Sequence, residues 1–236
     1  MPNQTPVVLV TRPEKQAHEF SETLGAGVDV VISPVIRIEP RDISVEARNF
    51  DALIFTSPNG VLAASRSLDL KGLRAVTVGD RTAQVANSFG MLTISARGVA
   101  EDLVATVIQE YAGGRVLFIR GRHTRGNIET KLKNAGIDTE SCIAYDQCVQ
   151  PLSEQAGRVL CGERPVILPL FSPRSAVLLS IEASACQASA KLYLIGMSDN
   201  VIAGWTGPAP VSSVAVSPPT SAAMAAEILG RIAHWP

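Results

Sequence analysis

The sequence has few of the residues from which metal and redox sites are usually built. It contains four cysteines and three histidines among 236 residues. The cysteines form no CxxC pair, and no histidine stands at metal-ligand spacing from them. We therefore expect no metal site, and we expect the thiols to be reduced and mostly buried. The cysteines are Cys142, Cys148, Cys161 and Cys186.

Several catalytic patterns are also missing. The histidines His18, His123 and His234 are far apart in the sequence, and no Ser-His-Asp set, HExxH motif or paired-carboxylate site is visible. Neither a P-loop nor a GxGxxG motif is present. These absences argue against hydrolysis, metal chemistry and hydride transfer. A reaction that needs mainly shape, hydrogen bonds and one weak acid fits better.

Charge and hydropathy exclude further classes. The net charge of −1 provides no field to attract nucleic acid or an anionic membrane. No apolar run approaches the ~20 residues of a membrane span, and the N-terminus does not resemble a signal peptide. We therefore expect a cytoplasmic protein without nucleic-acid or membrane partners. Hydrophobic residues make up 46% of the chain, enough for the cores of one large or two modest domains.

Short apolar segments alternate with helix-like segments along the whole chain. Fully apolar, β-branched runs such as Val7–Val10 are typical of parallel strands buried on both faces. Ala17, Phe20 and Leu24 have helical spacing, and 221–232 reads as a helix rich in alanine. Repeated βα units predict a parallel, doubly wound sheet. The further predicted strands are 52–55, 75–78, 115–119, 166–168, 192–195 and 214–216.

The same βα loops occur twice, in the same order. The segment 9–13 matches 118–121, which aligns Arg12 with Arg120. The segment 55–61 matches 170–176, and 78–83 matches 195–200. Two diverged copies of one α/β unit are thus predicted, and we expect the working site in the cleft between them.

Two extended segments interrupt the βα rhythm at equivalent places. They lie near 33–40 and 143–151, alternate in polarity and end in proline, which suits a linker or an edge strand. We interpret them as interdomain connectors. Two connectors imply one domain made from both chain ends, 1–35 plus 150–236, and one continuous domain, 40–145.

Polar loops after the predicted strands are the candidate anion sites, because ligands gather at the carboxyl ends of parallel strands. Ser57 is a plausible N-cap followed by Pro58, and Thr56 and Asn59 flank them. Such hydroxyls and free N–H groups can hold a carboxylate or phosphate, but the same pattern also describes a plain helix cap. Related candidates are Ser172, Arg174 and Ser175 in the matching loop, Gly79 and Thr82 in the next loop, its counterpart Ser198, and Thr220 before the last helix.

Three further side chains are candidates for chemistry or anion contact. Arg12 and Arg120 follow equivalent strands, where each is either an anion contact or a solvated charge. Tyr145 lies on the second connector. Its phenol is either a proton donor or a packing aromatic at a hinge.

Taken in order, these motifs resemble the uroporphyrinogen-III synthase family. The resemblance rests on 9–13 with Gln16-Ala17 and Leu24, on 55–61, on 78–79 with Thr82-Ala83, on Tyr145 in its connector, and on 216–220 leading into a helix. It covers nearly the whole chain.

The resemblance implies two flavodoxin-like parallel-sheet α/β domains joined by a two-stranded connector. It implies a lyase that closes linear hydroxymethylbilane into uroporphyrinogen III, with loss of water and inversion of ring D, in tetrapyrrole biosynthesis (heme, siroheme, cobalamin or chlorophyll). No cofactor is implied. Tyr145 matches the tyrosine that assists loss of the hydroxyl, and Thr82 matches a threonine of the cleft. We also expect a monomer, with a possible transient contact with the preceding deaminase.

The second half departs from the family pattern in places. Asp199-Asn200 stand where a hydroxyl residue followed by alanine is usual, Phe171 replaces a hydroxyl, and Arg174 adds a cation. A different class also fits these residues. A non-catalytic, two-domain protein that binds or senses a small anion would likewise have a cleft and lack a catalytic set.

Overall fold

The computed structural model describes residues 5–124 and 126–235. The chain divides into two compact units. Unit 1 takes the chain up to Arg37 and from Cys148 onward, and unit 2 is the continuous segment Ile38–Gln147. In chain order the elements are β1 (Val7–Val10), α1 (Glu14–Leu24), β2 (Val30–Ile32), β3 (Ile36–Pro40), β4 (Ala52–Phe55), α2 (Pro58–Ala64), β5 (Arg74–Thr77), α3 (Asp80–Ser88), β6 (Leu92–Ser95), α4 (Ala100–Glu110), β7 (Arg115–Gly121), α5 (Ile128–Asn134), β8 (Asp138–Val149), α6 (Glu154–Leu160), β9 (Val166–Leu170), α7 (Pro173–Ala185), β10 (Leu192–Gly196), α8 (Asp199–Ile202), β11 (Ser212–Ala215) and α9 (Ser221–Ala233). A single 3₁₀ turn at Ala47–Asn49 precedes β4.

Unit 1 is built on a five-stranded sheet in the order β11-β10-β9-β1-β2. The paired strands run parallel. β1 lies between β9 and β2, so that the first strand of the chain is a central strand of a sheet formed mostly by the C-terminal part. Its four residues are all buried, as a strand covered on both faces requires.

Unit 2 is built on a six-stranded sheet in the order β3-β8-β7-β4-β5-β6. From β8 to β6 the neighbouring strands are parallel. On β4, Leu53 and Phe55 face one apolar core, and Ala52 and Ile54 face the other. This alternation places a core on each side of the sheet.

The two predicted connectors form neighbouring strands at the edge of this second sheet. β3 lies next to β8. The Arg41 N–H donates to the Ala144 carbonyl at 2.7 Å, and the Gln150 N–H donates to the Val35 carbonyl at 3.1 Å. Because one residue number rises as its partner's falls, β3 and β8 are antiparallel. The chain thus leaves unit 1 along β3 and returns along β8.

The predicted α/β class with two parallel-sheet units is confirmed, and some elements are additional. The sequence patterns did not predict β2, β6 or the first part of β8. β2 is apolar but only three residues long, too short to stand out as a strand. β6 is an edge strand whose Leu92 is 62% exposed, and it mixes polar with apolar residues.

The expectation of mostly buried cysteines is wrong. All four are free thiols; Cys161 is exposed and the others are half-buried. Cys161 and Cys186 directly follow α6 and α7, at helix ends that lie on the surface. Cys142 and Cys148 lie on β8, whose neighbour β3 is the edge of the sheet. The exposure of each cysteine thus follows from its place at a helix end or near the edge of the sheet, and not from the apolar character of the thiol.

Candidate functional site

In unit 2 the predicted site residues lie on or directly after neighbouring strands at one edge of the sheet. Tyr145 lies within β8, opposite the last residue of β7, Arg120 lies near the end of β7, and the others follow β4 and β5. From β8 to β5 the order along this edge is Tyr145, then Arg120, then Thr56, Ser57 and Asn59, and finally Gly79 with Thr82. Because these four strands are parallel, their carboxyl ends lie at the same edge. The fold therefore gathers in one row residues that are up to 89 positions apart in the sequence.

Tyr145 and Thr82 are the two buried polar candidates in unit 2, each 4% exposed. Tyr145 belongs to the core that contains Phe55, Ile119 and Ala144. Burial raises the pKa of the Tyr145 phenol, and a hydrogen bond with the Ser57 side chain partly opposes that rise. The phenol is consequently protonated at neutral pH and has a proton available to donate.

The loop after β4 is a helix cap that also reaches the tyrosine. Ser57 is the N-cap of α2, and its Oγ accepts from the Asn59 N–H at 3.2 Å. Pro58 occupies the first helical position, as the sequence predicted. The structural role of Ser57 as a cap is therefore confirmed, and its contact with Tyr145 is additional.

The loop after β5 supplies a second helix start. Gly79 is the N-cap of α3 in an extended backbone conformation, and its carbonyl accepts from the Thr82 N–H at 3.1 Å. Thr82 is buried in the first turn of α3. Thr77, which ends β5, donates its hydroxyl to the Gly79 carbonyl at 3.3 Å.

Charged groups tie the strands next to Tyr145 together. The Asp146 carboxylate accepts from Arg122 at 2.7 Å and from Arg41 at 2.8 Å. Those hydrogen bonds lower the pKa of Asp146, the bond from Arg122 contributing most. Arg120 is half-buried and donates to the Gly121 carbonyl at 3.2 Å. Arg41 follows β3, Arg122 follows β7, and Asp146 is the residue after Tyr145 on β8. The two ion pairs therefore connect both neighbouring strands to β8 next to Tyr145.

In unit 1 the equivalent candidates also follow neighbouring strands. Thr220 comes after β11, Ser198 after β10, Ser172 with Arg174 and Ser175 after β9, and Arg12 after β1. Since these strands are parallel, the four positions share the carboxyl edge of the first sheet. The repeat in the sequence is thus matched by equivalent places in the two sheets.

The loop after β9 is a cap formed by two serines. The Ser172 Oγ accepts from the Ser175 N–H at 3.1 Å, and the two hydroxyl oxygens are 2.8 Å apart. Ser175 is buried, and its hydroxyl donates to the Ser172 carbonyl at 3.0 Å. Between them, the buried Nε of Arg174 has no hydrogen-bond partner within residues 5–124 and 126–235.

Phe171 has a physical role in place of the hydroxyl that is usual at its position. Its ring packs edge-on against Phe20, with ring centroids 4.9 Å apart. The Arg12 guanidinium stacks on Phe171 at 4.0 Å from the ring centroid, and its Nη1 lies 3.4 Å from the Ser221 hydroxyl. Arg12 is therefore held at the carboxyl edge by a cation–π contact.

The two remaining candidates also stand at helix starts. Thr220 is the N-cap of α9, and its hydroxyl accepts from the Ala223 N–H at 3.1 Å. Ser198 is the N-cap residue of α8, with Asp199 exposed in the first turn. Both residues are exposed on the described surface of unit 1.

One cavity lies away from these residues. It has a volume of about 390 Å³ and is lined in part by Arg74, Leu92 and Tyr111. Arg74 and Leu92 begin β5 and β6, so this cavity is at the amino edge of the second sheet. Its lining contains none of the residues that the sequence singled out.

The described part of the chain has neither a cluster of metal ligands nor a membrane-spanning helix. No group of three or more His, Cys, Asp or Glu side chains there is arranged to hold a metal ion. Among the same residues, no helix combines the length and apolar character needed to cross a membrane.

The sequence interpretation missed two glycines that contact the candidate tyrosine. A Cβ atom placed on Gly121 would stand 2.7 Å from Cζ of Tyr145, and one on Gly60 would stand 3.9 Å from its Cε1. Gly60 belongs to a quoted motif, and Gly121 ends the segment that matches 9–13, but neither pattern indicates which side chain lies above them. Only the pairing of β7 with β8 brings Tyr145 over Gly121.

Two open, mainly parallel sheets, each with polar helix starts along its carboxyl edge, define a two-unit α/β protein. A family model for uroporphyrinogen-III synthase HemD matches residues 19–198, which is well over half of the chain. The chain belongs to the uroporphyrinogen-III synthase family, lyase-type cyclising enzymes of tetrapyrrole synthesis.

Solved structures support the fold. The chain is similar to the crystal structure of uroporphyrinogen-III synthetase from Helicobacter pylori 26695, with a TM-score of 0.67 and 15% identity over 96% of this chain and 99% of that one. It is also similar to a mutant uroporphyrinogen III synthase from the extremely thermophilic bacterium Thermus thermophilus, with a TM-score of 0.56 and 15% identity over 98% and 99%. A comparison with curated proteins found no match.

Proposed function

We propose that this chain closes linear hydroxymethylbilane into uroporphyrinogen III, with loss of water and inversion of ring D. The observation that carries the proposal is the family match over residues 19–198, together with a buried, protonated tyrosine at the carboxyl edge of unit 2. No metal or cofactor enters this reaction as we propose it. The alternative, a non-catalytic anion-binding or sensor protein, has no observation in its favour.

Tyr145 is the proposed proton donor. The substrate loses its terminal hydroxyl as water, so that the C–O bond breaks while the oxygen takes up a proton. A neutral phenol at the substrate can donate that proton, and Ser57 then stabilises the phenolate through its hydrogen bond. Ring D attacks the resulting azafulvene cation through its own substituted α-carbon. The bond from that carbon to the bridge of ring C then breaks, the bridge carbon bonds to the free α-carbon of ring D, and the proton lost from that carbon returns to the phenolate.

The polar helix starts are the proposed carboxylate contacts. The substrate bears many carboxylates, and both sheets present N-cap hydroxyls and the N-terminal ends of helices at their carboxyl edges. In unit 2 we propose Thr56, Ser57, Asn59, Gly79, Thr82 and Arg120 as contacts. In unit 1 we propose Arg12, Ser172, Arg174, Ser175, Ser198 and Thr220. The buried Nε of Arg174 has no hydrogen-bond partner among the described residues, which leaves it as a donor for an anion.

Catalysis of this kind depends mainly on positioning. The substrate cyclises spontaneously to the symmetric type I isomer. The enzyme must therefore hold the linear substrate in the conformation that gives the type III isomer. Several dispersed carboxylate contacts suit this task, because they constrain a flexible substrate at many points.

The instability of the substrate and the free thiols of the protein bear on how the substrate is delivered and where the protein acts. An unstable linear substrate is best received soon after it forms, so we propose transient contact with the deaminase that makes it. We propose that the chain acts as a monomer in the cytoplasm, where free thiols such as its four cysteines persist.

The experiment is an isomer assay. Hydroxymethylbilane is generated in situ from porphobilinogen with its deaminase, this protein is added, and the products are oxidised and separated as porphyrin isomers. We expect mostly type III product, whereas the deaminase alone gives type I. Product that remains mostly type I with the folded protein present would refute the proposal.

A further inference from the structure

A bulge in the pairing of β7 and β8 determines what lies over Gly121. Arg120 pairs with Ile143, but the next residue, Gly121, pairs with Tyr145. Ala144 is therefore an extra residue on β8. Without this bulge Ala144 would stand opposite Gly121, so the bulge is what brings the tyrosine to that position.

Gly121 leaves the space that the tyrosine ring fills. A Cβ atom on Gly121 would lie 2.7 Å from Cζ, 2.8 Å from Cε2 and 3.0 Å from Oη of Tyr145. These three atoms are the nearest neighbours of that Cβ, and all belong to one side chain. The φ angle of Gly121 lies outside the left-handed region, so alanine suits its backbone conformation. The absence of a side chain at 121 thus matters because of the ring.

A second glycine and a hydroxyl complete the surroundings of the ring. Gly60 approaches it from α2, where a Cβ atom would stand 3.9 Å from Cε1 of Tyr145 and 3.3 Å from the Ile119 carbonyl. Ser57 forms a side-chain hydrogen bond with Tyr145. Because the Ser57 oxygen already accepts from the Asn59 N–H, its single hydrogen is free to be donated to the phenol oxygen.

This arrangement orients the phenol as well as burying it. If Ser57 donates to the Tyr145 oxygen, the tyrosine's own proton points elsewhere and is available to a ligand. We infer that Gly121 is a positioning residue for Tyr145: the bulge and the missing side chain hold the ring where Ser57 bonds its oxygen and its proton remains free for transfer. The inference rests on the proposed function only in naming that transfer.

The main test combines Gly121→Ala with Tyr145→Phe. We expect Gly121→Ala to lower kcat by about 10-fold to 100-fold with little change in KM, as for a misplaced catalytic group. We expect no additional loss when Tyr145 is already phenylalanine, because no hydroxyl remains to be misplaced. An equal loss in both backgrounds would overturn the inference. Gly157→Ala, at an open position in α6, is the matched control.

A titration provides a readout that does not depend on turnover. The ionisation of Tyr145 is followed by ultraviolet absorbance, as the difference between the protein and its Tyr145→Phe variant. Burial raises the pKa of Tyr145, and the Ser57 hydrogen bond lowers it. We therefore expect Gly121→Ala to move the pKa down and Ser57→Ala to move it up. An unchanged Tyr145 pKa in Gly121→Ala would contradict the inference.

The two kinds of failure are separable. If the wild-type protein yields only type I product, the proposed function fails, while the titration still tests the positioning of the ring. If Gly121→Ala does not fold, Ser57→Ala carries the test. We expect it to lower kcat in the Tyr145 background and not to lower kcat further in Tyr145→Phe, whereas loss of the proposed carboxylate contact raises KM to the same extent in both backgrounds. Ser153→Ala, which removes the equivalent N-cap hydroxyl of α6, controls for the lost cap.

Discussion

The surroundings of Tyr145 favour its neutral form. The side chain is buried among apolar residues on β8, opposite the end of β7, where a negative charge is poorly solvated. Burial accordingly raises the pKa of the phenol above its ordinary value of about 10, although Ser57 moderates the rise. A residue that is neutral at every physiological pH acts as an acid only where another group stabilises its anion, which is the role we assign to Ser57.

We predict that Tyr145→Phe lowers turnover about 100-fold or more, the scale that a positioned general acid contributes. The ring remains, so packing against Gly60 and Gly121 is preserved. Loss of the hydrogen bond with Ser57 is expected to lower the free energy of unfolding by only about 0.5–1.5 kcal/mol. Steady-state rates of type III formation and a denaturant titration measure the two effects.

Tyr193→Phe is the matched control for that prediction. Tyr193 lies on β10 and packs edge-on against Trp235, with ring centroids 4.9 Å apart. Its substitution should leave the rate of type III formation unchanged. Turnover that survives Tyr145→Phe would remove Tyr145 from the mechanism.

Single residues differ in how far the sequence predicts them. Tyr145 was singled out by its place on the second connector and by resemblance, and Ser57 by the Ser-Pro pattern of a helix start. Gly121 was not, because its importance depends on a strand register with one extra residue. A bulge leaves no mark in the local polarity pattern, since it arises from the pairing of two distant segments.

At the scale of elements, an ion-pair group fastens the strands on either side of Tyr145. Arg41 follows β3, Arg122 follows β7, and both donate to Asp146 on β8. The Arg122 N–H also donates to the Tyr145 carbonyl at 3.0 Å. These bonds restrain the backbone on both sides of the tyrosine.

We predict that Asp146→Asn lowers the Tm at neutral pH and that its difference from wild type shrinks as the solution is acidified. Hydrogen bonds from Arg122 and Arg41 lower the pKa of Asp146 in the folded protein. The stabilisation is therefore complete above the unfolded pKa of about 3.9, and it is lost as pH falls through the lower folded value. Thermal melts of both proteins between about pH 7 and pH 3 measure this trend.

Glu154→Gln provides the comparison. Glu154 faces Arg158 within α6 at 3.6 Å, and both side chains are largely exposed. Exposed pairs of this kind contribute little to stability, so this variant should melt like wild type throughout. A constant gap between Asp146→Asn and wild type down to pH 3 would contradict the role of the carboxylate charge.

The same scale shows why some elements were predictable and others were not. β1, β4 and β9 are covered on both faces, and burial forces continuous apolar runs that a sequence pattern reveals. β6 is half-exposed at an edge, and β8 mixes polar and apolar residues next to β3. Their strand character comes from pairing with a neighbour, which the local sequence does not encode.

At the scale of the whole molecule, unit 1 depends on both ends of the chain. Its core combines Val8, Val10 and Phe20 from the first segment with Ile167 and Met224 from the second. β1 is also an interior strand of the sheet, between β9 and β2. Unit 2, in contrast, takes its strands and both of its cores from one continuous segment.

This difference predicts opposite behaviour of two fragments. Residues 36–149 keep β3 to β8 intact, so this fragment should fold alone.

Residues 148–235, in contrast, lack β1, β2 and α1. Each large apolar side chain that the core loses contributes about 1.5–3 kcal/mol when buried. Val8, Val10, Phe20 and Leu24 together approach the whole stability of a typical domain, about 5–15 kcal/mol. We therefore expect fragment 148–235 to be unfolded, as measured by circular dichroism and by its sensitivity to proteases. It should gain structure when a peptide of residues 5–37 is added.

Two variant peptides are the controls. The peptide with Phe20→Ala should restore less structure, because it lacks a ring that is 2% exposed in the intact chain. The peptide with His18→Ala, on the exposed side of α1, should restore structure fully. A fragment 148–235 that folds without the peptide would show that the C-terminal part forms its core unaided.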